Sequence, residues 1–135
     1  MKPLLLSLFF AFISSLGFAQ VFRIDSLPQQ GVLLDKGWKW HAGDNPEWAK
    51  PDFDDSTWEE IDPTKDVYFL PQIRKQAVGW LRIHVTVDST LVNKALAFQI
   101  KQTAASQIFL NGNLLQTYGI VSHQPELIKA IRAFL

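Results

Sequence analysis

Gly79 to Val87, GWLRIHVTV, is the stretch that decides the fold. Leu81, Ile83, Val85 and Val87 fall on one side of an extended chain, and Trp80, Arg82, His84 and Thr86 on the other. That two-residue period, carried by β-branched side chains, predicts one strand over 79–87. Asp88-Ser89-Thr90 closes it, because short polar side chains bond their own backbone and favour turns.

Working outward, Lys94 to Gln102 alternates again, with Leu96, Phe98 and Ile100 on one face, and predicts a further strand. Gln107–Leu110 and Asn113–Tyr118 flank Asn111-Gly112, the strongest short hairpin signal. Upstream, Gly31–Leu34 is expected as a short strand, Trp38–Ala42 as an alternating one and Glu59–Asp62 as a weak one. Asn45 ahead of Pro46 is a start signal for a helical turn over Pro46–Ala49. Pro51 to Trp58 reads as a structured loop, since its Asp and Ser side chains compete with sheet pairing. Pro63 to Gln76 is a longer excursion, with Tyr68, Phe69, Leu70 and Pro71 expected to fold back over the core. Val21 to Gln30 reads as an exposed leader, and helical period is confined to 125–135. The sum is an all-β chain, an antiparallel β-sandwich spanning 31–135.

Composition narrows the function classes. Hydrophobic residues make up 47 % of the chain and aromatics 13 %, enough for a packed core. Lys plus Arg and Asp plus Glu both number 13, so the net charge is zero and no basic stripe marks a nucleic-acid or anionic-membrane partner. Cysteine is absent, which removes thiol chemistry, disulfides and thiolate metal sites. At the start, Lys2 precedes an apolar run from Leu4 to Leu16, and Gly17-Phe18-Ala19 offers small residues at a cleavage site. That run is well short of the roughly 20 residues a membrane-spanning helix needs. Residues 1–19 therefore read as a cleavable signal peptide, with residues 20–30 as the leader, and the location is extracytoplasmic or periplasmic.

Three blocks are more specific together than apart. They are Trp38-x-Trp40-x-x-Gly43-Asp44-x-x-x-Trp48-Ala49-x-Pro51-x-Phe53-Asp54-Asp55-Ser56-x-Trp58, then Gly79-Trp80-x-Arg82, then Ile108-x-Leu110-Asn111-Gly112. Their combination resembles the galactose-binding-like jelly roll that serves as the sugar-binding domain of family 2 glycoside hydrolases. It resembles more closely a variant at the N-terminus of exported Bacteroidetes sensor proteins, with Pro71 to His84 closest to that variant. The resemblance implies a non-catalytic sensing or ligand-binding domain, followed in such proteins by membrane helices and a histidine kinase, cyclase or phosphatase. A jelly roll has about eight strands, and this sequence shows fewer, so the chain is expected to be the N-terminal part of a longer protein. Membrane contact is then expected only through a downstream segment. The alternative is the accessory domain of a secreted glycoside hydrolase or esterase.

Candidate residues follow from this. Trp40 and Trp80, on alternating strands, are the aromatic side chains expected to line a groove, beside Arg82 and His84, for a carbohydrate or other small ligand. At least three of the five tryptophans are expected in the core. Asp52, Asp54 and Asp55 form the carboxylate cluster. A structural Ca²⁺, which takes about six to eight oxygens, is one reading of it, and a capped turn with Phe53 and Trp58 plugged into the core is the favoured one. No other cofactor is expected. Arg82 is a further candidate to pair with an Asp of this loop, tying loop to strand. No catalytic residue is assigned: adjacent carboxylates cannot flank a sugar, and no Gly-x-Ser-x-Gly elbow accompanies His84.

Overall fold

β2, Trp38–Ala42, is the organising strand of the computed structural model, which describes residues 21–130. The signal segment expected over 1–19 and the last part of the helix expected over 125–135 lie outside the described residues. In chain order the strands are β1 Phe22–Ile24, β2, β3 Glu59–Ile61, β4 Gly79–Ile83, β5 Val85–Val87, β6 Ser106–Leu110 and β7 Asn113–Tyr118. Helix among the described residues amounts to α1, Pro71–Arg74, and short 3-10 turns. The chain is all-β.

β2 lies between β3 and β4 in an antiparallel sheet. Its register pairs Trp38 with Ile61 and Ile83, Trp40 with Leu81, Lys39 with Arg82 and His41 with Trp80. Side chains alternate along each strand, so one face carries Trp38, Trp40, Ile61, Leu81 and Ile83, and the other Lys39, His41, Trp80 and Arg82. On the first face Trp40, Ile61 and Leu70 are buried together, with Trp38 and Ile73 packed against them. Leu70 and Ile73 arrive from the excursion between β3 and β4, which does fold back at these positions. Tyr68 and Phe69 do not; they stand exposed, because the turn that buries Leu70 points them outward. Gly79 pairs with Ala42 beside Trp40, and a Cβ added there would overlap the indole ring. Glycine here permits the close approach of backbone and ring.

Several expected elements differ. The strand expected over 79–87 is two strands, broken at His84, where the chain changes partner. β4 pairs with β2, whereas β5 pairs in parallel with β1. The Phe22 N–H donates to the His84 carbonyl at 2.8 Å, and the Asp88 N–H to the Ile24 carbonyl at 2.9 Å. So the expected leader contains a strand, and the sheets are not purely antiparallel. Gly31–Leu34 forms no strand; the Trp38 indole N–H bonds the Leu34 carbonyl at 2.8 Å and holds the segment to β2. Lys94–Gln102 also stays irregular, with Leu96, Phe98 and Ile100 exposed. Alternation alone does not make a strand, and no strand among the described residues pairs with this segment. In place of the start of a C-terminal helix, Pro125–Leu127 is a single 3-10 turn, and Lys129 then bridges Ile120.

The hairpin forms where Asn111-Gly112 places it. Asn111 has φ 49° and Gly112 φ 84°, the two positive values a type I′ turn requires. Asn93 is the other non-glycine residue described with positive φ, at 69°. A branched Cβ there meets the backbone, so Asn93→Val should lower stability by about 1–2 kcal/mol. Asn93→Gly should leave it equal or higher, and urea denaturation of the pair checks both.

Candidate functional site

The second face of the sheet is where the sequence motifs meet. Local turn chemistry shapes the covering loop. Asn45 accepts the Glu47 N–H at 3.0 Å and caps the turn over Pro46–Ala49, as its sequence signals. Asp54 accepts the Ser56 N–H at 2.9 Å. These two turns direct Trp48, Phe53, Asp55 and Trp58 onto the sheet. The Trp48 ring lies 4.8 Å from His41, 5.2 Å from Trp58 and 6.1 Å from Trp80, each edge-on, and Phe53 lies 5.7 Å from Trp58. Such edge contacts match the ring quadrupoles as well as burying area. Trp80 stacks on Phe109 of β6 at 5.2 Å and donates its indole N–H to Asp44 at 2.8 Å. One side chain thus joins the sheet, the hairpin and the loop.

Beneath the aromatics lies an ionic link. Asp55 is 2 % exposed, and one of its oxygens accepts from Arg82 Nε at 2.8 Å and lies 3.0 Å from His84 Nε2. A carboxylate beside a guanidinium accepts, so Nε2 carries the imidazole proton in this bond. Arg82, its side chain 11 % exposed, also donates Nη1 to the carbonyls of Trp48 and Lys50, and its guanidinium sits over the Phe53 ring at 5.6 Å. The pairing of Arg82 with an Asp of the loop, foreseen from sequence, therefore forms with Asp55. Lys39, the cross-strand neighbour of Arg82, is buried and donates to Glu60 at 3.0 Å.

The structure brings Arg82, His84 and Asp55 together, with Trp80 on the same sheet face. It separates Trp40 from them: Trp40 faces the opposite side and belongs to the core, so it lines no groove with Trp80. Trp40 and Trp58 are buried, Trp38 is half-buried and packed against the core cluster, and Trp48 and Trp80 are half-buried. Asp52, Asp54 and Asp55 do not converge. Asp52 is exposed, Asp54 bonds Ser56, and Asp55 already holds a guanidinium, which is unfit for a Ca²⁺ ligand. Among the described residues no group of three His, Cys, Asp or Glu is placed to hold a metal ion. A shallow depression of about 340 Å³ opens elsewhere, lined by Asp35, Lys36, Trp38, Glu60 and Asp62, away from the residues expected to bind a ligand. Sequence reasoning gave no site role to Lys39 and Phe109, and named Asp44 and Trp48 only as motif positions. Their contacts join segments distant in the chain and are tertiary facts.

Turn carboxylates give the domain an acid limit. The Ser56 hydroxyl and N–H hold Asp54 below the ordinary 3.8, the Thr64 hydroxyl does so chiefly for Asp62, and the Thr90 N–H for Asp88. A carboxyl group depressed by folding stabilises the folded state above its unfolded pKa, and that stabilisation is lost as pH falls through the folded value. Melting temperature should therefore drop more steeply below about pH 4 in the parent than in D54N/D62N/D88N. Parallel slopes would refute this.

Comparison with protein-family models, with curated proteins and with solved structures returns no match to this chain.

Proposed function

We propose that the chain is a non-catalytic extracytoplasmic sensing or ligand-binding domain, the N-terminal part of an exported membrane signal-transduction protein such as a sensor histidine kinase. Its fold is then a galactose-binding-like jelly roll. The observation that carries this reading is the state of Asp55, Arg82 and His84. The groups best suited to chemistry are turned inward and bonded to one another, fixing a loop to a sheet. A domain in which Asp55, Arg82 and His84 serve as internal fasteners is suited to bind and transmit, by shifting its conformational balance when a ligand engages it. A carbohydrate or other small ligand is the ligand class, from the likeness of the three motif blocks to sugar-binding domains.

The aromatic density of the second face favours one other reading, an accessory carbohydrate-binding domain of a secreted glycoside hydrolase or esterase. The coding sequence beyond Leu135 decides between them. Membrane helices and a kinase, cyclase or phosphatase domain there support the sensor. A hydrolase domain replaces it with the accessory reading, and a stop codon overturns both.

A further inference from the structure

The excursion between β3 and β4 presents two aromatic rings to solvent on a stiff base. Tyr68 is 69 % exposed and Phe69 70 %, while the next residue, Leu70, is buried in the core. The turn that holds them is fully bonded. Asp66 accepts the Tyr68 N–H on its side chain at 2.7 Å and the Phe69 N–H on its carbonyl at 2.9 Å, and the Leu70 N–H donates to the Val67 carbonyl at 3.0 Å. The rings meet edge to face at 5.3 Å, and the Arg74 guanidinium lies 5.5 Å over Tyr68. From Val67 to Val87 the sequence has no carboxylate; Asp66, just before, is the turn's cap, and Arg74 and Lys75 are both exposed.

We propose that this tip inserts into the interface of a phospholipid bilayer containing anionic headgroups. Tyr68 and Phe69 enter the boundary between headgroups and acyl chains, and Arg74 and Lys75 reach lipid phosphates. Aromatic rings flanked by long cationic side chains are the side-chain chemistry of that interface. A protein partner fits less well, since one turn of three residues is far smaller than the roughly 800 Å² each side of a stable interface buries. A sugar fits less well too, because Arg74 covers one face of Tyr68 and the perpendicular rings offer no flat platform. The even charge of the whole chain hides a local bias: no long basic stripe exists, but within 63–76 Lys65, Arg74 and Lys75 stand against Asp66 alone. The inference goes beyond the sensing role and does not rest on it.

The test uses the full chain with vesicles of phosphatidylethanolamine and phosphatidylglycerol brominated in their acyl chains. The fluorescence that F69W adds to the parent is expected to be quenched by these vesicles, and parent emission far less. Residues 1–19 are common to every variant, so vesicle binding through them contributes equally and the readout is the difference between variants. Y68S/F69S is expected to partition about tenfold more weakly than the parent. R74Q/K75Q should lose affinity for these vesicles and not for phosphatidylcholine. Both positions are exposed, so folding is retained and circular dichroism checks it. The proposal is overturned if the F69W emission is unquenched, or if Y68S/F69S binds as the parent does. It is equally overturned if the chain elutes as a dimer with the F69W emission already shielded before vesicles are added.

Discussion

Asp55→Ala is expected to lower the unfolding free energy by about 3–5 kcal/mol, the range for removing one partner of a buried ion pair. The substitution leaves the Arg82 guanidinium, 11 % exposed, with carbonyl partners and no counter-charge, and leaves His84 without its acceptor. It also unfastens the loop whose aromatic rings cover the second face of the sheet. Domains are stable by only about 5–15 kcal/mol, so the variant should melt near ambient temperature or expose its tryptophans to quencher. Urea denaturation followed by tryptophan emission reads the loss directly. Removing both charges is the sharper test. D55L/R82M should lose less than D55A alone, because two apolar side chains carry no unpaired charge. A loss under about 1 kcal/mol for D55A would mean that the pair behaves as a surface salt bridge, and the fastening role would fall.

Gly79→Ala is expected to cost about 1–3 kcal/mol, the usual range for overpacking, although the backbone at Gly79 has ordinary negative φ. The cause is steric: the new methyl group would occupy the space of the Trp40 six-membered ring. Trp40 is packed with Ile61 and Leu70 and has little room to withdraw. W40F removes the part of the ring that collides. In that background Gly79→Ala should become nearly neutral, a coupling of about 1 kcal/mol or more between the two positions. Strict additivity of the two substitutions would show that the clash is relieved elsewhere and that Gly79 is not set by Trp40.

These two expectations rest on features the sequence disclosed unequally. Elements with local signals were legible: the Asn45-Pro46 turn, the alternating β2, the Asn111-Gly112 hairpin and the Arg82 partnership with the aspartate loop. What escaped depended on neighbours distant in the chain. Lys94–Gln102 has the alternation of a strand and no strand to pair with among the described residues. Phe22–Ile24 is too short and too plain to announce a strand, and becomes one only because β5 lies beside it. Trp40 and Trp80 looked alike because both sit in alternating segments. The antiparallel register, His41 against Trp80 and Trp40 against Leu81, is what sends one ring into the core and the other under the loop. Tyr68 and Phe69 read as core side chains by composition, and a turn anchored by Leu70 reverses them.

The change of partner at His84 has a consequence for the order of assembly. β1 and β5 are roughly sixty residues apart, whereas β2, β3 and the hairpin strands pair within much shorter loops, and long loops are entropically the slower to close. The earliest described strand to emerge during synthesis is thus among the last to be seated. Until β5 arrives, Phe22 and Ile24 remain available to anything that handles the nascent chain. The N-terminal strand acts as a latch fitted after the lock is built, and removing it should speed unfolding while leaving the initial folding rate nearly unchanged.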